Sequence, residues 1–403
     1  MNTNRVTLID SMRGFSLFGI LLANMLIFQY GIYGKDAIHL FSLPGSDMGG
    51  YYFLKIAVEG SFMPIFTFLF GYSMVKMKES LERKQLGVKR HFSRRFSLLF
   101  AMGMCHGIFL WEGDILAFYG MIGFFLLFFF LNRKPKTLLI WSALLFLLVG
   151  ASSYGSLNET TEFLMDKDDL TTYVKESIST YGSGTYAEIS DYRNNADDPL
   201  NIEGTKLALV FLLAPFATAP LFLLGMYAGK KDWFRAPALH QKRYGRLAVI
   251  LIPISLLFKA TAHVWPDASW AGIPSAFGLN LLSLGYMFGF AWLYCKLEQS
   301  TLMKAFESVG RLSLSNYLFQ TVICTTIFYG YGLGQFGTFG MIKGIALCTT
   351  IYFIQLVSSL LYLRKFKVGP VEQLLRMWTN LSWSGKAKMK KKTFIDDSKQ
   401  SVI

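Results

Sequence analysis

The chain is organised around the stretch LIDSMRGFSLFGILLA, residues 8–23. Asp10 and Arg13 are three positions apart, so both project from one face of a helix. They lie at the start of an apolar segment that is long enough to cross a bilayer. Charge close to hydrocarbon is costly, so this pair is either an interface anchor or part of a site.

The composition predicts an integral membrane protein. Only 16% of the residues are charged, 53% are hydrophobic, and the mean hydropathy is +0.37. Soluble domains carry about 25% charged residues. Many apolar runs approach the ~20 residues that span a bilayer as a helix, and no alternation typical of a β-barrel competes with them. The predicted fold is an all-α polytopic bundle.

About ten transmembrane helices are predicted, with both termini in the cytoplasm. The basic residues follow spans two, four, six and ten, and these loops share one side, which is the cytoplasm by the positive-inside rule. The expected spans are roughly 9–30, 51–75, 96–112, 115–132, 137–155, 206–228, 247–264, 276–297, 312–330 and 341–363.

One transmembrane domain, residues 1–385, is predicted to carry an external acidic insertion at about 152–205 and a basic, disordered cytoplasmic tail at 386–403. The expected partners are the bilayer and anionic lipids at the cytoplasmic face, with a homo-oligomer left open. No basic stripe interleaved with aromatics indicates nucleic acid. The four cysteines lack zinc-site spacing, and no metal is expected.

The third span contains the candidate catalytic histidine, His106. It lies about ten residues into the predicted span, or about 15 Å from the cytoplasmic end at 1.5 Å per residue, near mid-membrane. A buried imidazole needs a polar partner and is suited to act as a general base or nucleophile. The alternative is a hydrogen bond between helices, beside the small residues Gly103 and Gly107.

Three carboxylates accompany this histidine. Asp114 either caps the next helix or steers an acceptor, and Glu112 is a solvated turn residue or shares that steering role. Glu59 lies about eight residues inside span two and is expected to face the protein interior as part of a substrate path.

A ring of residues is predicted at the cytoplasmic boundary. The expected set that holds a phosphorylated donor is Asp10, Arg13, Arg95, Arg311, Asn316, Glu372 and Arg376. Glu372 and Arg376 form an i,i+4 pair on a short helix that starts near Pro370. Asn24, Glu59 and Gln320 are the candidate substrate-binding residues, although Asn316 and Gln320 also suit polar contacts between helices.

The succession of motifs resembles the bacterial YeiB-like family of multi-pass membrane proteins, catalogued as domain of unknown function 418. The matching pieces run in order through nearly the whole chain: residues 8–19, 68–71, 94–116, 183–189, 224–226, 310–320 and 369–376.

More distantly, Ile9-Asp10 and Arg13-Gly14 with Asn24 are similar to the first span of heparan-α-glucosaminide N-acetyltransferase. That resemblance implies a transmembrane acyltransferase with acyl-CoA, such as acetyl-CoA, as co-substrate. Relatives in that superfamily place a catalytic histidine near the position of Asn24, and the acetyltransferase places it after the span, where His39 is nearest. His106 is therefore chosen for its depth and setting, with His39 as the alternative.

Three functions remain open from the sequence. The first is an acyltransferase in the plasma membrane, with arginines that hold the nucleotide phosphates and His106 as base. The second is a transporter or permease with Glu59, His106 and Gln320 along a path. The third is a structural or sensory membrane component, since no phosphate-binding glycine loop is present.

Overall fold

The computed structural model describes residues 6–155, 166–197, 199–200 and 204–387, and within these residues all regular structure is helical. The predicted tail beyond residue 387 and parts of the predicted insertion lie outside the described residues. The helices are α1 (Thr7–Tyr30), α2 (Asp47–Phe53), α3 (Met63–Arg83), α4 (Val88–Phe109), α5 (Leu116–Phe129), α6 (Pro135–Ser152), α7 (Lys167–Ser183), α8 (Tyr186–Asn195), α9 (Gly204–Lys230), α10 (Gln241–Val264), α11 (Gly272–Leu297), α12 (Thr301–Arg311), α13 (Ser313–Phe328), α14 (Met341–Lys365) and α15 (Pro370–Asn380).

The all-α, multi-pass prediction is confirmed. Seven helical stretches among the described residues are long and apolar enough to cross a membrane. They are α1, the α2–α3 stretch, α6, the part of α9 from Leu212, α10, α11 and α14. The stretches of α10 and α11 include the short turns before them, from Pro237 and from Ser269. The ten-span prediction also counts α4, α5 and α13, which carry more polar residues or are shorter.

Contacts between loops define two sides of the bundle. On one side, Lys76 at the end of α3 pairs with Asp232 after α9, and Lys230 donates to the carbonyl of Arg133 after α5. On the other side, Gly155 after α6 donates to Ser269 after α10. The basic loops therefore gather at the first side, which is called the cytoplasmic side below, and the opposite side is called external.

The first helix lies in the middle of the bundle and is buried over most of its length. It ends at Gly31, whose φ of +77° suits glycine. Near its cytoplasmic end it crosses α12 in backbone contact. A Cβ on Gly14 would lie 2.0 Å from the carbonyl oxygen of Phe306, and a Cβ on Gly310 would lie 1.8 Å from that of Asp10. Only glycine at both positions permits this crossing.

The predicted second span is interrupted, which the sequence reasoning missed. Helix α2 passes into a π-helical turn, Leu54–Val58, and the chain is irregular until α3 begins at Met63. The carbonyl groups left without helical partners accept from neighbouring helices: Lys259 donates to Glu59 at 2.6 Å and Ser283 donates to Ser61 at 2.6 Å. Such a break survives at membrane depth only where it is buried in protein.

Glu59 is therefore not a residue inside a continuous span. It follows the π turn on the external side, where its carboxylate pairs with Lys35 at 2.7 Å and also with Lys55. Asp36 bridges the same two lysines at 2.6 Å each. A place for Glu59 along a substrate path stays a prediction. Its charge is balanced within this network of two lysines and two carboxylates.

The described part of the external insertion consists of α7 and α8. Asp166 caps α7 by accepting from the amides of Asp168 and Asp169. Thr185 and Glu188 form a capping box at the start of α8. Both helices begin where the local sequence supplies a cap, so this segment has well-defined ends despite its polar composition.

Candidate functional site

A buried histidine–aspartate pair is the strongest candidate site. Nδ1 of His106 lies 2.8 Å from Oδ1 of Asp114, and both side chains are at least nine-tenths buried. With Asp114 as the acceptor, Nδ1 carries the proton and Nε2 offers its lone pair. Nε2 has no hydrogen-bond partner among the described residues. The Asp114 carboxylate thus orients the imidazole through Nδ1, and Nε2 is left available to another group.

Two helices hold the pair in register. His106 is in the last turn of α4, and Asp114 precedes α5, where its second oxygen accepts from the amide of Ala117 at 2.9 Å. A Cβ on Gly103 would lie 1.9 Å from the nitrogen of Ala117, so α4 and α5 touch backbone to backbone here. Asp114 therefore caps α5, which matches one of its two predicted roles. It also orients the histidine, a contact that the sequence did not predict, and its role in steering an acceptor stays a prediction.

The predicted depth of His106 requires a correction. The helix begins at Val88, not near Phe96, and ends at Phe109, so His106 lies three residues from its external end. It is still eleven residues beyond Arg95, which is roughly 16 Å along the axis. The imidazole therefore lies close to the loop after α4 and to the external segment that covers this loop.

Aromatic rings line the imidazole. The ring of Tyr317 on α13 lies 5.5 Å from it and that of Trp111 lies 6.4 Å from it, centroid to centroid. Trp111 stacks on Phe28 of α1 at 4.2 Å, and its Nε1 is buried without a partner among the described residues. The surroundings of the imidazole are thus aromatic, and they include one N–H donor, Trp111 Nε1, that is unused among the described residues, as Nε2 is.

Glu112 is not the solvated turn residue that the sequence suggested. Its carboxylate accepts from the hydroxyl of Tyr181 on α7. Burial raises the pKa of Glu112, while the Tyr181 hydrogen bond, the charge of Arg193 and a backbone bond from Ile32 oppose that rise. Glu112 therefore ties the α4–α5 loop to the external segment, and a role in steering an acceptor stays a prediction.

Helix α8 covers the end of α4. Arg193 donates to the carbonyl of Leu110 at 3.0 Å and to that of Ile108 at 2.7 Å, and Tyr186 donates to that of Phe109 at 2.8 Å. These bonds satisfy the carbonyl groups that a helix end leaves open. The external segment is consequently placed directly above His106.

At the cytoplasmic side, three of the predicted arginines converge. Arg13 donates to Asp10 at 2.6 Å and to Ser73 on α3 at 2.5 Å. The guanidinium of Arg95 on α4 lies close enough to Arg13 and Arg376 to be repelled by both, and Glu372 attracts it. Of this cluster, Arg95 lies on the same helix as His106, roughly 16 Å from it along the axis.

Glu372 has a defined structural partner. Its carboxylate accepts from the amides of Leu314 and Ser315 at 2.8 and 3.0 Å and from the Ser315 hydroxyl at 2.6 Å. It thereby caps α13 from α15, which begins at Pro370 as predicted. A negative charge at a helix N-terminus is stabilising.

Replacing Glu372 with alanine is expected to lower the free energy of unfolding by about 1–3 kcal/mol, because two amides and a hydroxyl lose a charged acceptor. Thermal unfolding of the purified protein in detergent measures this loss. Glu298→Gln, at an exposed carboxylate of the same side, is the control and is expected to change little. Equal melting temperatures for Glu372→Ala and the native protein would contradict the capping role.

The remaining boundary residues make other contacts. Arg311 pairs with Glu307 at 3.8 Å and donates to the carbonyl of Lys367 at 3.3 Å. Asn316 donates to Ser359 at 3.0 Å, and Gln320 donates to Gln355 at 2.8 Å, so both join α13 to α14. The geometry matches the interhelical alternative for these two amides, while their binding roles stay predictions.

Asn24 and His39, the two residues suggested by the acetyltransferase resemblance, lie on other elements than His106. Asn24 is half-buried in the outer half of α1, eleven positions beyond Arg13. His39 is exposed in a 3-10 turn, Ile38–Leu40, on the external side. His106 is the buried one of the two histidines and the one with a carboxylate partner.

Several site residues escaped the sequence reasoning. Trp111, Tyr317 and Ser73 had no signal beyond ordinary polar or aromatic residues in apolar spans. Arg193 had one: it is an arginine on the side of the membrane that is otherwise poor in basic residues.

Comparisons with known proteins bear on the family. The family described as protein of unknown function DUF418 matches residues 228–382. The uncharacterized protein YxaH of Bacillus subtilis is 32% identical over 401 residues, 97% of this chain and 98% of the relative. The chain belongs to the DUF418 family. The uncharacterized protein YeiB of Escherichia coli is 27% identical over 388 residues, 92% of this chain and 95% of the relative.

Membership in the DUF418 family confirms the YeiB-like resemblance. The matched region begins at the end of α9 and contains Asn316, Gln320 and Glu372, whereas His106 and Asp114 precede it. The relatives extend over both parts, and an uncharacterized 39.9 kDa protein of Bacillus acidopullulyticus does so as well, at 24% identity over 375 residues and 93% of this chain and 94% of the relative.

Proposed function

We propose that this DUF418 family member is an acyltransferase of the bacterial plasma membrane. It takes an acyl group, such as acetyl, from cytosolic acyl-CoA and passes it to an acceptor at or across the membrane. The observation that carries the proposal is the buried His106–Asp114 pair, in which Nδ1 is held at 2.8 Å and Nε2 is unused. That arrangement is typical of a general base.

The chain's own residues account for the proton in this reaction. Nε2 of His106 takes the proton from the hydroxyl or amine of the acceptor while that atom bonds to the thioester carbonyl. Asp114 stabilises the imidazolium that forms, because its carboxylate accepts from Nδ1. The carbon–sulfur bond then breaks, and His106 returns the proton to the departing thiolate sulfur, so the products are the acylated acceptor and free CoA.

The arginine cluster supplies the second half of the proposal. Arg13, with Asp10 and Ser73 fixing its orientation, and Arg95 would bind the phosphates of the nucleotide, since guanidinium groups bind phosphate bidentately. The donor would then extend along α4 toward His106, roughly 16 Å away. Trp111 would donate its unused N–H near the reacting carbonyl.

The direct test uses purified full-length protein in nanodiscs with radiolabelled acetyl-CoA and a bacterial envelope extract as acceptor. The proposal expects label to enter an extractable lipid or glycan fraction, with release of stoichiometric free CoA. If acetyl-CoA neither binds at millimolar concentration nor yields labelled product, the acyltransferase proposal fails.

A transporter is the second candidate, and the interrupted helix at Leu54–Phe62 favours it. Discontinuous helices near the membrane interior form substrate sites in many secondary transporters. Here Lys259, only 5% exposed, donates to the backbone carbonyl of Glu59 and to the hydroxyl of Ser61, the latter at 3.0 Å, within that break. Uptake of a labelled metabolite by proteoliposomes under a pH gradient, without chemical change, would favour this function over acyl transfer.

A further inference from the structure

The loop between α3 and α4 borders a cleft of about 370 Å³ at the cytoplasmic side, and this cleft is separate from the residues of the proposed reaction. Its walls come from the end of α3, the start of α4 and the end of α5. The lining contains three cationic side chains, Lys78, Lys89 and Arg90. It also contains the aliphatic side chains Val88, Leu127 and Leu131, together with Glu82, Gly87 and Asn132.

The charge of the cleft is unbalanced. Lys78, Lys89 and Arg90 face a single carboxylate, Glu82, which leaves a net charge of +2 from three cations and one anion. Glu82 lies 3.6 Å from Lys78, and neither Lys89 nor Arg90 has an ion-pair partner within the described part of the chain. An anion would therefore meet two cations that are not already neutralised.

Backbone donors add to this potential. Helix α4 begins at Val88 after Gly87, and no side chain of the described residues caps its first turn. The first amides of a helix lack internal partners and carry a partial positive charge. Gly87, Val88, Lys89 and Arg90 all line the cleft, so these amides border it together with the cationic side chains.

The apolar residues in and beside the cleft indicate an amphipathic ligand. Leu127 and Leu131 are almost fully buried, and they lie at the cytoplasmic end of α5, next to the strongly exposed Phe128 and Phe129. Those exposed rings face the bilayer in a multi-pass protein. The cleft thus opens where acyl chains and head groups meet, with cations on the head-group side.

We propose that this cleft binds the head group of an anionic phospholipid. The phosphate would lie against Lys89, Arg90 and the first turn of α4, where arginine can bind it bidentately. Lys78 would contact it from α3, and Glu82 would accept from a head-group hydroxyl. The upper acyl carbons would pack on the exposed rings of Phe128 and Phe129, which follow Leu127 in the chain. Charge complementarity selects an anionic lipid, and the adjoining apolar surface distinguishes a lipid from free phosphate.

The test measures lipid affinity of the full-length protein in neutral detergent. Dioleoylphosphatidylglycerol is titrated, with dioleoylphosphatidylcholine and inorganic phosphate as the other probes, and binding is followed by native mass spectrometry and thermal shift. The Lys89→Gln, Arg90→Gln double variant is expected to bind phosphatidylglycerol about tenfold more weakly than the native protein. Both residues are exposed, so the fold is expected to persist.

The matched control removes the same charge from nearby positions, at the other end of the connection between α3 and α4. Arg83→Gln with Lys84→Gln alters two exposed cations that do not line the cleft, and it is expected to retain native affinity. Equal weakening by both double variants would overturn the site in favour of diffuse attraction. A thermal shift with inorganic phosphate as large as that with phosphatidylglycerol would overturn the lipid assignment.

Discussion

Replacing His106 with alanine is expected to lower acetyl transfer from acetyl-CoA by about a hundredfold to ten-thousandfold, because the reaction loses its base. The loss is expected in kcat, with little change in the KM for acetyl-CoA, since the phosphates would be held at the cytoplasmic cluster some distance away. Initial rates over a range of acetyl-CoA concentrations, measured as release of free CoA, separate the two parameters.

Asp114 gives an independent readout of the same pair. Asp114→Asn is expected to reduce kcat less than loss of the histidine does, because the amide can still contact Nδ1 but no longer stabilises the imidazolium. Part of any effect would come from the cap on α5, where Oδ2 accepts from Ala117 at 2.9 Å. Thermal unfolding of the variant separates that contribution from catalysis.

The control histidine is His39, which is exposed and was the alternative candidate. His39→Ala is expected to keep native kcat and melting temperature. Loss of activity in His39→Ala, with His106→Ala fully active, would show that the buried pair is structural and that the acetyltransferase-like position is the catalytic one.

Replacing Gly310 with alanine is expected to destabilise the protein by about 1–3 kcal/mol or to prevent its accumulation in the membrane. The new Cβ would lie 1.8 Å from the carbonyl oxygen of Asp10 and 2.9 Å from the nitrogen of Gly14. Backbone atoms cannot yield as a side chain can, so α1 and α12 must separate, and overpacking of this kind is costly. Thermal unfolding in detergent measures the change.

Gly49→Ala is the matched control for this substitution. Gly49 is also helical, but nothing lies within 4 Å of a Cβ at that position. Alanine there is expected to be neutral or slightly stabilising, by up to about 1 kcal/mol. Similar melting temperatures for the two variants would contradict the tight crossing of α1 and α12. Since Asp10 and Arg13 belong to that crossing, Gly310→Ala also tests whether the cytoplasmic cluster depends on it.

The sequence by itself determined that this protein belongs in a membrane and that its basic loops lie on one side of it. Burial of apolar residues in lipid and the cost of moving lysine or arginine through it act on composition alone. The membrane environment and the gathering of the basic loops on one side therefore follow without a tertiary structure, whereas the break in the second span does not. Local rules also sufficed for the start of α15 at Pro370 and for the capping position of Asp114, because each depends on a few neighbouring residues.

Only the tertiary structure decided which polar groups meet. His106 and Asp114 are close because Gly103 lets α4 and α5 touch. Glu112 is partly buried and accepts from Tyr181 of α7, and neither contact has a periodic signal in the sequence. Glu59 does not lie inside a continuous span because the π turn at Leu54–Val58 ends the helix before it. Lys259 and Ser283, which donate to the carbonyls of that break, are some 200 residues away in sequence. Contacts between distant segments depend on packing energy, which hydropathy and spacing do not encode.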